Sequence, residues 1–313
     1  MKPSFQIRVA SFLFSCSTFS GCALSSNALA DSSSGLTTCP PALHSQTKLQ
    51  TLKANQWQIA DQQQRQQLAL ELIPCLADPN PVLRDEIAFE ALSFWMRGEL
   101  LTTETIQSIR SQLLKQIRAS AAHHEAVFAK PFAALVLAEI ARVDRRKAFM
   151  SDEQRQDMLN AAAEYLPAVR DFRGFDEQEG WRHGVAHGAD WMLQLSLNSA
   201  LNQQQQLQIL NALAPQIRND QHFYHYGESE RLMAPVFYLG LRSSLSAEEW
   251  EGWFNSLLTT SLNLKMTTQA SLARKHNLTA FFYALYVNLQ ESPAIAAKEK
   301  LLPHVIKSLK KLN

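Results

Sequence analysis

The run D-F-R-G-F-D-E-Q-E-G-W-R-H-G-V-A-H-G-A-D-W, from Asp171 to Trp191, carries a helix signal and an unusual set of polar side chains. At about 100° per residue from Glu177 onward, His183, His187, Asp190 and Gln194 share one narrow stripe. Trp181, Val185, Ala189 and Met192 then project from the opposite side as the face to be buried. An ordinary wet helix face is built from Lys, Glu, Arg and Gln, whereas this one stacks two imidazoles and a carboxylate at i, i+4 and i+7. Asp176 followed by Glu179 has the form of an N-cap with its capping-box partner, which starts the helix just before Trp181. Gly184 and Gly188 share its flank. Each costs about 0.5–1 kcal/mol relative to Ala, a cost offset by the close approach of another helix or of a ligand.

Helical periodicity continues on both sides of this run. It predicts helices over 47–60, 62–77, 80–97, 103–119, 122–143, 151–166, 178–199, 203–218, 228–243, 246–261, 268–289 and 293–311. Asp78-Pro79-Asn80-Pro81 ends one helix and caps the next, while Thr103 and Ser246 each precede an acid, as helix N-termini prefer. Ten Gly and twelve Pro in 313 residues are too few turn formers for a strand-rich fold. Twelve amphipathic helices joined by short links leave a compact bundle or an array of helix pairs. The pairs recur at roughly forty residues without a clean internal repeat. The expectation is therefore an all-α fold, an α-α superhelix of HEAT or armadillo type, formed by residues 46–313 as one domain. Its concave surface is the natural place for a groove.

A second polar stretch, H-F-Y-H-Y-G-E-S-E-R-L-M-A-P, runs from His222 to Pro235. Gly227 breaks the chain before a helix opened by Glu228, Ser229 and Glu230, where acids suit the helix dipole. Pro235 falls inside that helix and removes one backbone bond, which predicts a kink near Arg231. Glu228, Glu230 and Arg231 read either as site residues or as capping acids with a structural ion pair.

Residues 1–30 read as a targeting segment. Lys2 and Arg8 precede a moderately apolar run, and Ala28-Leu29-Ala30 is an A-x-A cleavage site. The alternative is a lipoprotein box, Phe19-Ser20-Gly21-Cys22, with Cys22 as lipid anchor. Either branch predicts export, to the periplasm or to a membrane-anchored lipoprotein. Residues 31–45 read as a flexible leader. Removal of Lys2 and Arg8 leaves 28 basic against 29 acidic residues, a balance with no electrostatic footprint for nucleic acid or an anionic membrane. No later apolar run is long enough to span a bilayer. Two cysteines remain beyond the targeting segment, Cys39 and Cys75, which read as a disulfide in an oxidising compartment or as two unrelated thiols.

The run R-G-F, then G-W-R-H-G-V-A-H-G-A-D, then G-E-S-E-R-L, together with L-R-D at Leu83–Asp85, resembles the bacterial Domain of Unknown Function 2785 family, over roughly Asp78 to Arg242. The resemblance implies an all-helical fold. It assigns no activity.

Two functions fit these residues. In the first, a helical scaffold or binding protein presents a polar groove to a protein, peptide or small molecule. Its imidazoles are then satisfied by carboxylates or backbone carbonyls, with Asp171, Arg173, Trp181, Glu228 and Arg231 in the same network. In the second, a metal-assisted hydrolase holds a divalent metal such as zinc on His183, His187 and Asp190, with Glu228 or Glu230 as general base. Against the second, the chain has no H-E-x-x-H run, no nucleophile elbow and no Cys-His pairing.

Overall fold

A computed structural model of the chain describes residues 38–119, 126–259 and 267–312. The targeting segment with its cleavage site and Cys22, and the flexible leader up to residue 37, lie outside the described residues, as do the first residues of the expected 122–143 helix. Among the described residues the fold is all-α, with twelve α-helices and one two-stranded hairpin. The helices are α1 Gln46–Ala54, α2 Gln62–Glu71, α3 Glu90–Arg97, α4 Thr103–Arg118, α5 Ala126–Arg146, α6 Asp152–Ala168, α7 Gly184–Ser196, α8 Gln203–Ile217, α9 Glu228–Arg242, α10 Ala247–Leu258, α11 Gln269–Glu291 and α12 Ile295–Leu312.

Local chemistry starts most of these helices. Ser151, Asn202 and Ser246 each accept from the amide three residues on, and Gln154, Gln205 and Glu249 return the bond to the cap amide. Asn80 accepts from the Val82 amide at 2.9 Å, the capping role its Pro-flanked position suggests. Between that cap and α3, Val82–Phe89 is π-helical. Within it the consecutive side chains of Arg84 and Asp85 pair with each other.

Packing then sorts the helices into two rows. Helices α3, α5, α7, α9 and α11 lie side by side in sequence, and α2, α4, α6, α8, α10 and α12 form the second row, each neighbour two helices away along the chain. This is the all-α array that the helix count predicts. A continuous apolar core fills the space between the rows. Two indoles inside it find partners, Trp95 donating to the Trp57 carbonyl at 2.9 Å and Trp253 to the Leu210 carbonyl at 2.9 Å, while the buried Trp191 and Trp250 indoles have none among the described residues. The Asp144 carboxylate, which has no exposed surface, takes bonds from the Phe149 and Met150 amides, Arg155 and Asn198. Among the described residues no helix is long and apolar enough to cross a membrane.

The expected 62–77 helix is α-helical only to Glu71 and continues as the 3-10 helix Ile73–Ala77, the expected 80–97 helix is π-helical before α3, and two other helices are shorter than their periodicity implies. The first ends at Ala54 because Gln56 and Trp57 adopt φ of 54° and 57°. The central helix begins at Gly184, not near Glu177. In place of its first turns, β1 Phe175–Asp176 pairs antiparallel with β2 Gly180–Trp181. Asp176 does accept from the Gln178 and Glu179 amides, both at 2.9 Å, so the capping chemistry is real. Gly180 at φ 72° and His183 at φ 50° turn the chain out of the helix, and the same Asp closes a hairpin instead.

Cys39 and Cys75 form a disulfide with Cα atoms 5.1 Å apart, tying residues ahead of α1 to the 3-10 helix Ile73–Ala77. The bond closes a loop across 36 positions. The chain-entropy model assigns such a loop a stabilisation of about 4 kcal/mol. The Cys39→Ser, Cys75→Ser double variant is therefore expected to keep its far-ultraviolet helical signal and to unfold at a clearly lower urea concentration. An unchanged midpoint would show that the link contributes nothing.

Candidate functional site

Helix α7 is nearly enclosed by α5, α6 and α9. Val185, Ala189 and Met192 are fully buried, as expected of the core face. Trp181 is not part of that face: it lies on β2, 40% exposed, because the helix has not yet begun. Gly188 faces α6. A Cβ there would lie 2.9 Å from Leu166 Cδ1 and 3.0 Å from Tyr165 Cε1, so the glycine serves helix approach. The Tyr165 hydroxyl donates to the Gly184 carbonyl at 3.1 Å across the same contact.

The hairpin ahead of α7 is set by a residue of the L-R-D run. Arg84 has no exposed surface, yet its donors are used. Nε and Nη2 form a bidentate pair with Asp85 at 3.0 Å each, and Nη1 reaches the Asp78 and Pro79 carbonyls. Nη2 also donates to the carbonyls of Glu179, at 2.6 Å, and Trp181. The guanidinium lies 3.9 Å from the centroid of the Phe128 ring. Burial pushes the Asp85 carboxyl up to about 6, against the lowering effect of Arg84.

His183 therefore serves as the residue before α7, in the left-handed region, rather than as a first-turn residue. Its ring stacks on Trp181, centroids 4.5 Å apart, and its Nε2 lies 3.0 Å from the Tyr226 carbonyl. A carbonyl only accepts, so Nε2 carries the proton and Nδ1 keeps its lone pair. Glu228 Oε1 is 3.9 Å from the same Nε2, while Glu228 Oε2 accepts from the Tyr226 amide at 2.8 Å. Burial lowers the His183 pKa, Glu228 and the Tyr226 carbonyl raise it, and the net direction is down.

One turn on, His187 Nδ1 donates to the Pro131 carbonyl of α5 at 3.2 Å, its ring edge-on to Phe132. Burial, with His183 and Arg231 nearby, pushes its pKa down to about 3. Both imidazoles are thus neutral near pH 7, their ring centroids 6.0 Å apart. Neither His183 Nδ1 nor His187 Nε2 has a hydrogen-bond partner among the described residues. Further along, Asp190 pairs with Arg231 of α9 at 2.5 Å, and Gln194 accepts from Arg145 of α5 at 2.7 Å. Burial raises the Asp190 carboxyl above its ordinary value, and Arg231 only partly offsets it.

The stripe read from the sequence thus exists as one edge of α7, bridged on both sides, with His187 buried and His183, Asp190 and Gln194 only partly accessible. Glu228 and Arg231 both come to it. Glu230 is exposed and makes no ion pair among the described residues, and Asp171 and Arg173 pair with each other at the base of the hairpin. Asp171 is held below the usual carboxylate range: burial would raise it, and the bonds from Arg173 prevail. Among the described residues no group of three or more His, Cys, Asp or Glu side chains is placed to hold a metal ion. His183, His187 and Asp190 are turned to three different partners instead of to one point. The Tyr226 and Pro131 carbonyls escape sequence reading, since nothing distinguishes one backbone carbonyl from another. Arg84 left a signal only as part of the L-R-D run.

An all-α array with a motif-bearing polar edge on its central helix defines the class of this protein. A family model described as "Protein of unknown function (DUF2785)" matches residues 113–287, more than half of the chain, and the chain belongs to that family. The match begins after the L-R-D run and extends past Arg242, later at both ends than the motifs suggested. Neither a curated protein nor a solved structure matches the chain.

Keeping His187 neutral has a pH signature. Its folded pKa lies below the unfolded value of about 6.5, so below that pH the unfolded chain takes up a proton that the folded chain refuses. The stability conferred by His187 is complete above about pH 6.5 and is lost by up to about 1.4 kcal/mol per pH unit below it. Replacing His187 with Ala is expected to cost about 1–3 kcal/mol at pH 7.5, leaving bound metal unchanged. The gap between wild type and variant should narrow as the pH falls to 4. Denaturant titrations across that range, with elemental analysis of both proteins, check it. Loss of a bound metal in His187→Ala would favour the metal-ligand reading.

Proposed function

We propose that the chain is a binding or scaffolding protein that uses the polar edge of α7 as its recognition surface. The observation that carries this reading is the pair of neutral imidazoles, each anchored through one nitrogen to a backbone carbonyl and each left with a second nitrogen free to accept. Such groups are preorganised for hydrogen bonding, and rigid placement limits the entropy lost on association. The acids beside them are committed to Tyr226 and Arg231, which favours recognition over proton transfer. The occupant is a small molecule or a short segment of a polymer or peptide, held between α5 and α9.

We further place the protein outside the cytoplasm, either free in the periplasm or anchored through Cys22. A disulfide persists in oxidising compartments and is rare in the cytosol, and the leader read over residues 1–30 agrees with it.

Native mass spectrometry tests the binding reading. Purified protein is incubated with the small-molecule and peptide fraction of a cell extract, and bound species are read as adducts. The expected result is an adduct whose mass stays constant over hours and whose occupancy drops about tenfold or more in Arg231→Ala, the loss typical of truncating a central charged contact. Conversion of the adduct to products would make the protein an enzyme. Equal occupancy in the variant would move the site elsewhere.

A further inference from the structure

We propose that the cavity between the ends of α4 and α6 and the starts of α5 and α7 binds a single-chain amphiphile with an anionic head, a fatty carboxylate. Its lining includes neither Asp190 nor Arg231, so the proposal does not rest on the binding reading above. The cavity holds about 480 Å³, inside the range of about 300–1,000 Å³ in which small-molecule sites fall. Its buried lining is apolar, with Ile117, the Tyr165 ring and Val169 innermost and the half-buried Val127 and Pro131 beside them. The Tyr165 hydroxyl is already spent on the Gly184 carbonyl. Gly184 enlarges the space, since a Cβ there would meet Val169, Tyr165 and Pro131 at 3.3, 3.4 and 3.6 Å, three walls of the same cavity. A chamber with an apolar deep surface suits an alkyl chain.

The charged lining residues are all at least partly accessible, which puts the charge at the mouth. Three are cations, Arg118, Lys130 and Arg170, and two are acids, Glu164 and Asp171, so one positive charge is in excess. Asp171 is held by Arg173, and Arg118 by Asp157. Lys130 makes no hydrogen bond or ion pair among the described residues, and Arg170 gives only Nη1, to the Pro167 and Val169 carbonyls. Glu164 is then the one unpaired acid beside two available cations. The dipole of α7 acts in the same sense, because its first residue lines the cavity and no side chain caps its positive end. This potential favours an anion over a cation. A single excess charge suits a carboxylate, whereas a phosphate monoester brings nearly two charges up against Glu164. Only a ligand with both an anionic head and an apolar chain uses the mouth and the chamber together.

Isothermal titration with octanoate, decanoate and dodecanoate, each below its micelle-forming concentration, tests the assignment, with decanol and decyltrimethylammonium as contrasts. At least one carboxylate is expected to bind at a single site, more tightly than decanol, with the ammonium weakest. Lys130→Glu should weaken the carboxylate about tenfold or more, the loss typical of a charge-assisted contact, and leave decanol nearly unchanged. Ala168→Trp, which sets a large ring on the exposed last residue of α6, should weaken carboxylate and decanol alike. Both positions are accessible, so neither change opens the core, and circular dichroism of the two variants guards against a folding defect. Binding of no carboxylate, tighter binding of the ammonium, or an affinity unchanged in both variants overturns the assignment. Decanoate binding that is lost in Arg231→Ala but kept in Ala168→Trp also overturns it, moves the ligand to the edge of α7 and leaves the binding reading standing. Decanoate binding that survives Arg231→Ala, in a protein with no Arg231-dependent adduct in native mass spectrometry, upholds this cavity while the other reading fails.

Discussion

The rest of the site depends on a guanidinium with no access to water. Burying an unpaired charge costs several kcal/mol, and Arg84 meets that cost with Asp85, four backbone carbonyls and the Phe128 face. Two of the carbonyls belong to the hairpin, 95 and 97 positions along the chain. A hairpin with two-residue strands has almost no stability of its own. Clamped by Arg84, it holds Trp181 in place, and Trp181 in turn stacks on His183 at the one residue where the chain must enter a left-handed turn before α7.

From there the order of causes runs through packing. Gly188 lets α6 approach α7 closely, and α5 and α9 close the two sides. What remains accessible of α7 is one edge, and only in part. The burial that makes this edge narrow also strips water from His187, and so the same close packing that stabilises the array keeps the imidazole neutral. Packing and chemistry are not separate features here. A looser α5–α7 contact would hydrate His187 and return it toward an ordinary histidine.

Much of the fold was legible because amphipathic periodicity and capping residues are local properties. Ser151, Asn202 and Ser246 announce helix starts without reference to the rest of the chain. The failure at Asp176 is instructive for the same reason: an Asp that accepts from the next amides looks identical in sequence whether a helix or a hairpin follows. The decision was taken by Gly180, His183 and a remote arginine, and φ at a histidine leaves no mark in the sequence. In the site, residue type alone suggested that charged side chains such as Arg231 would join the network around the stripe. The partners of the histidines could not be foreseen, because they are carbonyls of Pro131 and Tyr226, supplied by tertiary structure alone.

This distinction bears on the metal reading that an i, i+4 histidine pair invites. Such a pair makes a metal site only when both rings aim a free nitrogen at one point and further ligands join them. Here each ring is oriented by a different carbonyl on a different side of α7, Asp190 is turned toward Arg231, and no third ligand joins the two imidazoles among the described residues. Orientation by a hydrogen bond to the second nitrogen is also what a metal-binding histidine needs, so the anchoring is common to both functions. What separates them is convergence. Here the anchoring bonds run to two different sides of α7, whereas a metal site needs its ligands focused on one atom.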